Sequence, residues 1–197
     1  SRLRVLSLLI LHRASAYIHL MKKLSVAVVF LLLQFGVFCQ KTIIYTHDDA
    51  DFKTAVELFQ KQKYGTAQKY FQKYIQRCKD AQSLAKADAE YYNGICAIEL
   101  FNKDGELLLK KFIKDHPESP KVKTAYFYLG KNNYRKKKYD EGLNWFSKVD
   151  IYDLTVEERY EYYFKRGYCL FDQGQFEKAK ADFFEIKDID TKYTAPA

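Results

Sequence analysis

The sequence predicts an all-α fold, a solenoid of antiparallel helix pairs. Two observations lead there. The first is composition: 17 Tyr and 15 Phe stand beside only three Pro and eight Gly among 197 residues, which suits a helical protein that buries aromatic faces. The second is an internal repeat, the pattern to be sought before any other.

The repeat is clearest in KYDEGLNWFSKV, residues 138–149. Tyr139, Leu143, Phe146 and Val149 recur at helical spacing, yet Gly142 sits among them, where glycine costs about 1 kcal/mol relative to alanine. Gln175–Ile186 and Lys63–Tyr74 share the pattern. Aromatics stand at Tyr64, Tyr139 and Phe176, and small residues at Ala67, Gly142 and Ala179. Phenylalanines follow at Phe71, Phe146 and Phe183, then Tyr74, Val149 and Ile186. Gly142 and Ala179 lie 37 residues apart, and Ala67 lies about two such periods before Gly142. The missing copy falls at Gly105, Leu109 and Phe112, with Pro117 closing its helix.

An earlier helix belongs to each copy. Ala55, Gly130 and Gly167 each precede the later small residue by twelve positions. Each unit is therefore a helix A, a short turn and a helix B, with a small residue on each helix so that the two approach closely. The units are expected at about 50–76, 88–116, 123–149 and 160–187. In the second unit either Gly94 or Cys96 fills the small position of helix A. The residues expected to carry the packing are Ala55, Ala67, Phe71, Gly105, Leu109, Gly130, Gly142, Phe146, Gly167, Ala179 and Phe183, the phenylalanines filling space towards the next pair.

The pattern resembles the tetratricopeptide repeat (TPR), W-x2-L-G-x2-Y, then A-x3-F, then P. The third unit carries most of it, with Tyr126, Leu129, Gly130, Gly142 and Phe146. The fourth has Tyr163, Gly167, Leu170, Ala179 and Phe183, with Arg166 where Leu is usual. The first has Ala55, Leu58, Ala67 and Phe71. The 37-residue period exceeds the ~34 of the motif, so extra residues separate the units. The resemblance implies a right-handed solenoid whose A helices form a concave, protein-binding face. Side chains one and four or five places beyond the small residue of helix A would line it: Lys131, Tyr134 and Arg135 in the third unit, and Tyr168, Phe171 and Asp172 in the fourth.

Met21 to Cys39 reads as a secretory signal. Lys22 and Lys23 precede an apolar run from Leu24 to Phe35, and Val37 and Cys39 stand at the small-residue positions of a cleavage before Gln40. The run is shorter than the ~20 residues of a spanning helix. Lipidation of Cys39 is disfavoured by the bulky Phe38 before it. Residues 1–20 read as an upstream extension outside the mature protein. Residues 1–39 hold five basic residues and no acid, leaving 28 of the 33 basic residues against all 25 acidic ones. That interleaved balance gives no nucleic-acid footprint.

Nothing in the chain spells catalysis. There is no G-x-S-x-G, Walker loop, H-E-x-x-H or G-x-G-x-x-G, and no C-x-x-C among Cys39, Cys78, Cys96 and Cys169. Cys78, Cys96 and Cys169 lie in apolar helical patterns and are expected as buried free thiols. His47–Asp51 is expected to flank the first helix, with Asp49 or Asp51 as its cap, and Arg135–Glu141 to form a solvated A–B turn. No catalytic residue, cofactor or metal is expected. The sequence points to a non-enzymatic scaffold, exported to the periplasm or outer membrane, that binds a protein or peptide. The alternative is the repeat module of a larger envelope sensor or enzyme.

Overall fold

A computed structural model describes residues 50–80 and 83–193, which lie in one compact unit. The segments 1–20 and 21–39 fall outside the described residues, as do His47, Asp48 and Asp49. Among the described residues the regular structure is helical throughout: α1 Ala50–Gln60, α2 Tyr64–Arg77, α3 Leu84–Glu99, α4 Gly105–Asp115, α5 Lys121–Arg135, α6 Tyr139–Phe146, α7 Val156–Asp172 and α8 Phe176–Phe184, with a 3-10 turn at Ile151–Asp153. They form four consecutive pairs, α1/α2, α3/α4, α5/α6 and α7/α8. Each B helix also packs against the A helix that follows, which makes the pairs a solenoid. Successive A helices meet one another, α1 with α3, α3 with α5 and α5 with α7, while successive B helices meet far less. The stack therefore curves with the A row inside.

One turn joins A to B in all four pairs. Gln62, Phe101, Lys137 and Gly174 are left-handed, with φ of 56°, 60°, 58° and 70°. Each lies seven residues after Ala55, Gly94, Gly130 or Gly167. The amide after each turn residue donates to the carbonyl five back: Lys63 to Leu58, Asn102 to Ala97, Lys138 to Asn133 and Gln175 to Leu170. The turn residues donate to Phe59, Ile98, Tyr134 and Phe171. This is the Schellman arrangement, which satisfies the last carbonyls of a helix. Only Gly174 announces it in the sequence, because glycine takes positive φ without steric cost.

The small residues have distinct neighbours. A Cβ on Gly130 would lie 2.6 Å from the Phe146 ring, and one on Gly167 would lie 2.9 Å from Phe183. So the phenylalanine of helix B seats on the glycine of its own helix A. It does not only reach towards the next pair. On its outer side Phe146 meets Tyr162 edge-on at 5.5 Å. In the second pair Leu109 lies over Gly94, at 2.6 Å from a Cβ there, which makes Gly94 the small position. Cys96 belongs instead with the first pair's core, beside Ala55 and Phe71. Helix α3 is buried continuously from Asn93 to Ile98 because it serves both flanking cores. An all-round apolar helix has no amphipathic stripe to reveal its register.

The fourth pair departs from the third at the position of Leu129, where it has Arg166. Arg166 Nε donates to Asp182 Oδ2 at 2.7 Å, and a second nitrogen of the same guanidinium reaches Oδ1. Asp182, on α8, is 4% exposed. A bidentate pair of this kind fixes geometry as well as charge. Burial lowers the Arg166 pKa, but the Asp182 carboxylate more than offsets it, and the net direction is upward.

At the start of α7, Thr155 and Glu158 form a capping box. The Thr155 amide donates to Glu158 Oε2 at 2.9 Å, and the Glu158 amide donates to Thr155 Oγ1 at 3.3 Å. The other Glu158 oxygen accepts from Tyr128 on α5 at 2.7 Å, which ties this cap to the preceding A helix. Cys78 departs from expectation: it caps the C-terminus of α2, half-buried, with its thiol 3.4 Å from the Asp80 carbonyl. Cys96 and Cys169 are buried, and burial pushes both thiols up to about 12. Asp51 lies in the first turn of α1 and pairs with Lys73 at 2.8 Å and Arg77 at 3.0 Å, holding α1 to α2.

Candidate protein-binding surface

The inner face is built from the A helices α3, α5 and α7. A ladder of charges crosses it. Lys131 on α5 reaches Glu99 on α3 at 2.8 Å and Glu161 on α7 at 3.1 Å. Lys165, one turn after Glu161, completes the row at 3.4 Å. Arg135 lies 3.8 Å from Glu99, donates to the Ile98 carbonyl, and rests 4.4 Å from the Phe101 ring centre. These contacts tie three helix pairs together at their closest approach.

Electrostatically the row is partly desolvated. Burial lowers the Lys165 pKa, a shift opposed by Glu161 and reinforced by Lys131. Burial also lowers that of Arg135, with Glu99 opposing. Three cations thus face two carboxylates, Glu99 and Glu161.

Of the six residues expected to line the binding face, Lys131 and Arg135 are engaged in this ladder, and Asp172 is exposed at the end of α7. Tyr134 lies between the Lys165 ammonium, 4.5 Å from its ring centre, and Tyr168, edge-on at 5.6 Å. Burial raises its phenol to about 12. Tyr168 also meets Tyr139 at 5.5 Å and is 39% exposed. Phe171 is more open still, 56% exposed, and pairs with Phe176 of α8. So Tyr134 and Tyr168 share one aromatic cluster above the Lys131 ladder, while Phe171 turns to the outer end of the last pair.

Sequence reading missed Glu99, Glu161, Lys165 and Phe101. The four-residue spacing of Glu161 and Lys165 is visible on one helix. The cross-helix partners of Lys131 carry no sequence signal, because a pairing between helices depends on how the pairs stack. Tyr193 was missed too. Its ring rests 5.4 Å from Phe164 of α7, and burial together with the Glu161 carboxylate raises its pKa. The chain beyond α8 thereby touches the middle of α7.

A cleft lies away from the inner face, between the loops that separate the units. It measures about 850 Å³ and is lined by Tyr126, Lys148, Ile151, Tyr162 and Arg166, among others.

Four stacked helix pairs that share one turn geometry, three of them with a helix-B side chain seated on a helix-A glycine (Leu109 on Gly94, Phe146 on Gly130, Phe183 on Gly167), define the class, an all-α repeat solenoid. Residues 161–185, spanning most of α7 and α8, match the family model for the tetratricopeptide repeat. The chain therefore contains a tetratricopeptide repeat, a motif that in general serves as a protein–protein interaction scaffold. No curated protein matches the chain. The match falls on the fourth pair.

Proposed function

We propose that the protein is a non-enzymatic scaffold of the bacterial cell envelope that receives a protein or peptide along its inner face. The single observation behind this reading is the aromatic cluster of Tyr134, Tyr139 and Tyr168 beside the Lys131–Glu161–Lys165 row. Rigid aromatics next to oriented charges combine apolar contact area with directional hydrogen bonding, the mixture that anchors protein interfaces. Tyr168 supplies the exposed ring, and Lys131 and Arg135 supply donors whose intramolecular partners a ligand carboxylate can replace. Export is supported by the anatomy of Met21–Cys39.

A photo-reactive amino acid placed at Tyr168, with a second at Lys148 on the loop side as control, tests the surface in living cells. One discrete crosslinked species from position 168, absent from position 148, is the expected result. Equal labelling from both positions sinks the reading. Mass spectrometry of the mature N-terminus tests export: a chain beginning at Gln40 is expected, and an intact Met21 overturns it.

A further inference from the structure

Four aromatic rings crowd the outer face of the last pair. Phe171, Phe176 and Phe184 are 56%, 59% and 54% exposed. Together with Phe183 they line a hollow of about 420 Å³, edged by Lys180 and Lys187.

The repeat itself indicates what such a face accepts. The residues four and nine places beyond the helix-A small position form a ring pair in three units: Phe59 with Tyr64 at 5.5 Å, Tyr134 with Tyr139 at 6.0 Å, and Phe171 with Phe176 at 5.4 Å. In the first unit Tyr92, from the next A helix, covers the pair at 4.8 Å from Phe59. In the third, Tyr168 does so at 5.6 Å from Tyr134. Among the described residues no third ring lies on Phe171 and Phe176.

We propose that the third ring is Phe184 of a second copy of this chain, so that the protein forms a two-fold dimer through α8. Phe176, Lys180 and Phe184 follow one another at four-residue steps and so make one stripe of the helix. Phe176 and Phe184 are therefore ~12 Å apart along it. Two α8 helices laid antiparallel about an axis near Lys180 bring each Phe184 onto the other copy's Phe171–Phe176 pair. The same operation sets the two Lys180 side chains side by side at the axis, each within a turn of Glu177 of the other copy, whose carboxylate offsets their repulsion. The face thus carries both halves of the contact, ring pair and ring, acid and base, as an isologous interface requires. Phe184 has no ring partner among the described residues; only Lys180 and Lys187 lie over it, at 5.7 and 4.8 Å.

Sedimentation velocity of the purified chain over a concentration series tests the proposal. A monomer–dimer equilibrium is expected, and Phe184→Glu raises its dissociation constant at least about tenfold, or ~1.4 kcal/mol. Glu177→Lys and Lys180→Glu each weaken it singly, and the two together restore it to within about threefold. These two charges are exposed on α8, so the swaps leave the helical circular dichroism unchanged. They decide the question even where Phe184→Glu fails to fold. A chain that stays monomeric throughout, whether another protein or further sequence covers the face, overturns the proposal. So does a dimer that none of these changes affects.

Discussion

The third and fourth helix pairs share one register and use it differently. Both seat a helix-B phenylalanine on a helix-A glycine, Phe146 on Gly130 and Phe183 on Gly167. At the position where the third pair buries Leu129, the fourth holds Arg166 against Asp182. Where the third turns on Lys137, the fourth turns on Gly174. The outer ring pair of the third is covered by Tyr168, while that of the fourth is exposed. A repeat unit is thus a backbone geometry that several side-chain solutions satisfy, because each unit must fit only its neighbours.

The largest effect should come from separating the buried ions. Asp182→Ala leaves Arg166 partly buried and unpaired and should cost about 3 kcal/mol in urea unfolding, at the lower end for buried pairs because Arg166 retains some solvent contact. Arg166→Leu with Asp182→Leu installs an apolar solution like that of the third pair and should recover most of the loss. If the double variant is as unstable as the single, the two pairs are not interchangeable solutions of one geometry.

Next are the glycines. Gly130→Ala drives a methyl into the rigid Phe146 ring, 2.6 Å away, and should cost about 2 kcal/mol. Gly167→Ala, at 2.9 Å from Phe183, should cost less, since Phe183 is only half-buried. Gly142 behaves oppositely. A Cβ there meets Cys169 Sγ, the Gly130 carbonyl and the Tyr134 amide at 3.6 Å, which is ordinary contact. Gly142→Ala should be neutral or stabilise by up to ~1 kcal/mol through helix propensity, and Gly142→Leu should destabilise by ~1–3 kcal/mol. Thermal midpoints of the four variants check the order.

The turn residues give a smaller and reciprocal effect. Lys137→Gly relieves a left-handed lysine and should stabilise by ~0.5–1 kcal/mol, while Gly174→Ala should destabilise by about 1 kcal/mol. Equal signs would mean the two turns are not equivalent. The smallest signal is kinetic. With thiols held near 12, Cys96 and Cys169 should resist a thiol reagent at pH 8 while half-buried Cys78 reacts.

Much of the fold was legible from the chain. The 37-residue spacing of Gly105, Gly142 and Ala179 reflects contacts between residues close in sequence, and such contacts leave a period. The register of α3 was not legible, because a helix buried on two sides loses its stripe. The shared turn was hidden too, since Gln62, Phe101 and Lys137 adopt left-handed φ without a residue type that signals it. For the binding surface, the resemblance to the tetratricopeptide repeat pointed to Lys131, Tyr134, Arg135, Tyr168, Phe171 and Asp172. It could not show that Lys131 and Arg135 are engaged by Glu99 and Glu161, or that Tyr193 covers part of α7.

Local spacing therefore dictated helix pairs, their number and the small residues that let them touch, because helical periodicity and side-chain size are properties of the chain. Which acid meets which base, which phenylalanine is covered and which stays open depended on how one pair stacks upon the next. Those contacts join residues some 30 to 37 positions apart, from Lys131–Glu161 to Arg135–Ile98. At that separation a partner is chosen by packing geometry, which no single stretch of sequence contains.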